Sequence, residues 1–151
     1  MRLGYLIAGE AFVEKVAQVK KVIDLRGDLL FEDALAALFE EGVIQRHIRK
    51  SLKLYQQRRD LFCELLEKEL GTYVRFRKPD GGMAVWVQFD SKFKLSVIAA
   101  RAGEMGLKMS DGTAYDPVAD SLNGLRMGFA SLNEKEMKKV MDILRKVLAQ
   151  Y

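Results

Sequence analysis

The stretch "NGLRMGFASLNEKE" (residues 123–136) decides how the rest of the chain is read. Leu125, Met127 and Phe129 alternate with Arg126, Gly128 and Ala130, which predicts a strand with one apolar face and one open face. Asn133, followed three positions later by Glu136, has the spacing of a capping box and predicts a helix start. Met137, Val140, Met141, Leu144, Val147 and Leu148 then place an apolar stripe along that helix. Arg126 is the residue that needs explaining. A cation in an apolar strand is costly unless something anionic meets it. Its neighbours Gly128 and Ala130 leave room beside the guanidinium, whose planar fork matches a carboxylate bidentately. A salt bridge to a nearby glutamate, or an edge-strand arginine in solvent, fits the same pattern.

The opening "RLGYLIA" (2–8) repeats the arrangement, with Arg2, an apolar residue, Gly4 and an aromatic, and predicts a short strand. Between the two stretches, apolar periodicity predicts helices over about 10–25, from Asp28 to Glu41, over 44–70 and over 95–105. Gly42, Gly71 and Gly106 stand where three of these end. "TYVRF" (72–76) and "MAVWVQF" (83–89) predict an antiparallel pair of strands joined through Pro79, Asp80, Gly81 and Gly82. "LKMS" (107–110) is a further strand candidate, and "DGTAYDPVADSLNG" (111–124) reads as a loop. This order predicts an α+β fold: a small antiparallel or mixed sheet with helices packed on it. The first two helices precede the compact part and carry much apolar surface.

Composition narrows the chemistry. The 151 residues are 49% hydrophobic, enough to bury a core, and the net charge is +4. That charge tolerates an anionic partner without specifying nucleic acid. The single cysteine, Cys63, cannot form an internal disulfide, which favours a reducing compartment. A metal site built from several histidines is excluded, because His47 is the only one. No CxxC, GxGxxG or Walker-type loop is present. No apolar run approaches the about 20 residues of a membrane span, so a soluble, cytoplasmic protein without membrane contact is the expectation. Residues 45–60 hold Arg46, Arg49, Lys50, Lys53, Arg58 and Arg59 before the first acid, Asp60. This run reads as a solvated basic face, with a nucleic-acid groove as the alternative.

Four stretches taken in order carry a resemblance: "RLGYLIAG", "HIRKSLKLYQQRRDLF", "PDGGMAVWVQF" and "LRMGFASLNEKEM". Together they resemble the C-terminal part of fold-type-I pyridoxal-phosphate aminotransferases of class I/II, most of all the MocR-type GntR-family transcriptional regulators. Free-standing 2-aminoadipate-type aminotransferases share the second stretch. The resemblance implies that Arg126 binds the substrate α-carboxylate and that Arg2 binds the cofactor phosphate, with Gly82 near the substrate entrance. It implies pyridoxal 5'-phosphate as the cofactor of a full-length parent. It implies no catalytic residue here, since the family's Schiff-base lysine lies upstream of the position matching Arg2. On this basis residues 1–42 are expected to be a remnant strand and helices linking to an absent large domain, and 43–151 an aminotransferase-like small domain. The expected partners are that large domain, a winged-helix domain through which the parent binds DNA, and a second copy in a homodimer.

Overall fold

The computed structural model describes residues 4–24, 27–115 and 122–151. Five helices and three strands follow in the order α1 (Glu10–Asp24), α2 (Leu29–Glu40), α3 (Val43–Leu70), β1 (Val74–Phe76), β2 (Ala84–Phe89), α4 (Leu95–Glu104), β3 (Gly124–Gly128) and α5 (Glu134–Leu148). The fold is α+β, as the alternation of patterns predicts. The strands form one antiparallel sheet in the order β1-β2-β3.

The helix boundaries follow local chemistry. Asp28 caps α2 by accepting from the Phe31 amide, and Gly42 ends that segment at φ +68°. At α5 the capping box is complete: Asn133 Oδ1 accepts from the Glu136 amide at 3.0 Å, and Glu136 Oε2 accepts from the Asn133 amide at 2.7 Å.

Two expected strands are corrected. Residues 4–9 of the opening segment have no regular structure, and Tyr5 and Ile7 are exposed. Residues 107–110 are likewise irregular, and a short 3-10 turn at Thr113–Tyr115 lies within the expected loop. Alternation specifies a strand only where a neighbour completes its hydrogen bonds, and neither segment belongs to the three-stranded sheet.

The chain divides into two compact units, Met1–Lys50 and Ser51–Tyr151. Among the described residues of the first unit none is buried. The second unit holds the core. Val85, Val87 and Phe89 of β2, with Leu125 of β3 and Phe129 just beyond it, bury the apolar side of the sheet. They share one cluster with Phe62, Leu66 and Leu70 of α3, Ile98 and Ala102 of α4, and Met137, Met141, Leu144 and Leu148 of α5. Each large aliphatic or aromatic side chain so enclosed contributes about 1.5–3 kcal/mol of transfer free energy. With this side closed by helices, the polar functional groups of the strands are displayed on the other side.

Candidate functional site

The open side of the sheet is built by register. Trp86 on β2 pairs with Arg126 on β3, Ala84 with Gly128, and Gln88 with Gly124. Arg75 on β1 pairs with Gln88 from the far edge. Arg126 is exposed, and among the described residues no hydrogen bond or ion pair to it is found. Among the described residues neither the glutamate salt bridge considered above nor another acid meets it, which leaves it an exposed arginine on the edge strand. The wall beside it is aromatic: the Trp86 ring meets the Tyr115 ring edge-on at 5.4 Å and 85°. Gly124 makes this wall possible, since a Cβ there would lie 2.8 Å from Trp86 Cζ2. The arrangement presents one guanidinium, flanked by aromatic and small residues, to whatever approaches the face.

Gly82 lies in the turn before β2 at φ +84°, exposed, with open space where a Cβ would be. Its need for glycine is therefore conformational rather than a matter of close approach. Arg2 lies outside the described residues. Among the described residues no group of three or more histidines, cysteines or acids is arranged to hold a metal. The open face provides a carboxylate-sized cationic contact. Its other arginine, Arg75, stands two strands away, so these residues alone do not form a cradle for the phosphate and ring of pyridoxal phosphate.

An open cleft of about 680 Å³ lies beside this face and meets it at Arg75, Gln88 and Gly124, without reaching Arg126 or Gly82. Arg75, Lys94, Asp90 and Asp111 all line the cleft. The Asp111 carboxyl is held below the usual range by hydrogen bonds from the Thr113 hydroxyl and amide, so its charge is spent on its own turn.

The basic run of α3 is corrected in part. Arg58 and Arg59 do not face solvent as expected. Arg58 donates to the Ala130 carbonyl, and Arg59 to the carbonyls of Pro79 and Asp80 at 3.3 and 3.1 Å and to Asp60 at 2.8 Å. No local signal in the sequence names these carbonyl partners, which lie 20 or more residues away. Arg49, Lys50 and Lys53 remain on the exposed side.

With this geometry in view, comparison with known proteins is decisive for ancestry. Residues 1–144 match the model of the family "Aminotransferase class I and II". The chain belongs to this family. It is 25% identical over 149 residues to Aromatic-amino-acid aminotransferase 1 of Thermococcus litoralis, covering 99% of this chain and 36% of that protein. It is 23% identical to the HTH-type transcriptional regulator YdfD of Bacillus subtilis, covering 92% of this chain and 28% of that one. MocR of Rhizobium meliloti, a probable rhizopine catabolism regulatory protein, is a further relative. Among solved structures, an alpha-aminoadipate aminotransferase of Thermus thermophilus, complexed with N-(5'-phosphopyridoxyl)-L-leucine, superposes with a TM-score of 0.79. At 23% identity, covering 96% of this chain and 38% of that one, the match shows the shared fold. The chain thus spans about a third of the length of these relatives, which include both enzymes and regulators.

Proposed function

We propose that the chain is the C-terminal portion of the aminotransferase-like domain of a MocR-type, GntR-family transcriptional regulator. Residues 43–151 act in it as the small domain. Arg126 receives the α-carboxylate of an amino compound, Gly82 borders the approach to it, and Arg2 contacts the phosphate of pyridoxal 5'-phosphate. The large domain, the Schiff-base lysine and a winged-helix DNA-binding domain belong to the remainder of the parent, so these 151 residues alone do not transaminate. The cofactor, where the whole domain holds it, supplies the electron sink. Arg126 supplies charge-assisted orientation of the substrate.

The observation that carries this reading is the open guanidinium of Arg126. It projects from the exposed side of a strand between glycines, opposite Trp86, with no acid of its own among the described residues. The similarity to the 2-aminoadipate transaminase of Thermus thermophilus over 89% of the chain favours a second reading, the small domain of a true amino-acid aminotransferase of the 2-aminoadipate type. Both readings give Arg126 the same task, and a winged-helix segment upstream in the reading frame separates them. A nucleic-acid role for the basic run would rest on Arg49, Lys50 and Lys53, because Arg58 and Arg59 are committed to backbone carbonyls.

The test is a chimera in which residues 1–151 replace the matching third of the Thermococcus litoralis aminotransferase. The chimera is expected to transaminate an aromatic amino acid. Arg126→Gln is expected to lower kcat/KM for that amino acid by about 100-fold with cofactor absorbance retained, and Arg126→Lys not to restore it. A folded, cofactor-loaded chimera in which Arg126→Gln leaves kcat/KM unchanged would overturn the assignment.

A further inference from the structure

The turn between β1 and β2 has an unusual tether. Among the described residues no backbone–backbone hydrogen bond holds residues 77–82. Pro79 has no N–H to offer, and Gly82 stands at φ +84°. What ties this turn down comes from one site on α3. Arg59 Nη1 donates to the carbonyls of Pro79 and Asp80, while its Nε and Nη2 bind Asp60 Oδ1 at 2.8 Å. Asp60 in turn holds Lys78 Nζ at 2.9 Å. The Arg59 side chain is only 17% exposed, whereas its partner Asp60 is 43% exposed, so the guanidinium is enclosed while the outer bonds of the tether meet solvent.

The residue before it closes the other edge of the same rim. Arg58 Nη1 donates to the carbonyl of Ala130, just past the end of β3. Between the two tethers the Phe129 amide donates to the Met83 carbonyl at 3.1 Å, beyond the last paired rung of β2 and β3. One turn further along α3, Phe62 packs against Phe129 with ring centroids 6.2 Å apart. Two adjacent guanidinium groups therefore grip the backbone on both sides of the end where Gly82 and the strand of Arg126 come together. All three nitrogens of Arg59 are engaged, which only a planar fork can do, since a lysine ammonium carries a single centre.

We propose that Arg58 and Arg59 are positioning residues for the substrate-facing rim. Arg59 fixes the turn that presents Gly82, and Arg58 fixes the exit of the strand that presents Arg126. The proposal rests on the reading of Arg126 and Gly82 given above. It also explains why positive charge is concentrated at this point of α3: these cations serve carbonyl oxygens that no strand or helix satisfies.

The first measurement uses the 151-residue chain, by amide hydrogen exchange in Arg59→Gln, Arg59→Lys and Arg58→Gln. The Phe129 amide reports the rim, and an amide of α3 at buried Leu66 reports the fold. Exchange at Phe129 is expected to quicken about tenfold in each variant, with Leu66 unchanged and no rescue by Arg59→Lys. Unchanged protection at Phe129 in both Arg59 variants would overturn the tether. The second measurement places the same substitutions in the chimera. KM for the amino acid is expected to rise several-fold with a smaller change in kcat and with cofactor absorbance retained. Loss of Phe129 protection with unaltered KM would sink the positioning role alone, whereas unaltered kinetics in Arg126→Gln would sink the site assignment on which it rests.

Discussion

Asn123 shows how much one residue can hold here. It sits at φ +34°, the only described non-glycine residue with positive φ, a region asparagine enters more readily than most side chains. From there Nδ2 lies within hydrogen-bonding distance of the carbonyls of Phe89, Asp90 and Phe93, at 3.1, 3.0 and 2.9 Å. Its own carbonyl accepts from the Phe89 amide at 2.9 Å. It thereby locks the start of β3 to the end of β2 and to the segment leading into α4. Asn123→Ala is expected to destabilise the chain by about 1–3 kcal/mol in urea unfolding, since it combines lost bonds with an unfavourable φ. A loss under about 0.5 kcal/mol would show that water replaces the amide at no cost. At this scale the sequence is partly legible. Alternation alone assigns Arg126 to the open face, because strand period is local. The inward turn of Arg59 is hidden, because its carbonyl partners lie 20 and 21 residues away.

Among the elements, the helices were the easiest to read. Their caps and periodicity are satisfied within a few residues, and Asn133 with Glu136 marks the start of α5 in the sequence as clearly as in the structure. The expected strands at 2–8 and 107–110 failed among the described residues because a strand needs a neighbour that the sequence pattern does not name. The tether between α3 and the β1–β2 turn belongs to this scale and has a pH signature. Hydrogen bonds from Lys78 and then Arg59 hold the Asp60 carboxyl below its ordinary value of 3.8. A carboxyl with a lowered folded-state pKa supports the fold at neutral pH and loses that support as pH falls through the folded value. The Asp60 carboxyl carbon is therefore expected to titrate below 3.8 by NMR. Arg59→Gln is expected to move the midpoint back toward 3.8. A wild-type midpoint at or above 3.8 would contradict the ion pairs.

On the scale of the whole molecule, the two units differ in kind. Ser51–Tyr151 encloses the core, whereas no described residue of Met1–Lys50 is buried and Phe12, Phe31 and Phe39 remain 57%, 50% and 45% exposed. Apolar surface of this extent favours association. Sedimentation velocity is expected to show a concentration-dependent dimer, weakened in the double variant Phe12→Glu, Phe31→Glu. A monomer at every concentration would count against it. By itself, the sequence determined the helices, their caps, the hairpin of β1 and β2 and the family, because propensity, capping and motif order are properties of neighbouring residues. Only the tertiary structure decided that Trp86 stands opposite Arg126, that Arg126 meets no described acid, and that Arg58 and Arg59 grip backbone carbonyls. Those facts depend on strand register and on contacts between distant segments, which packing of the core sets and no local pattern encodes.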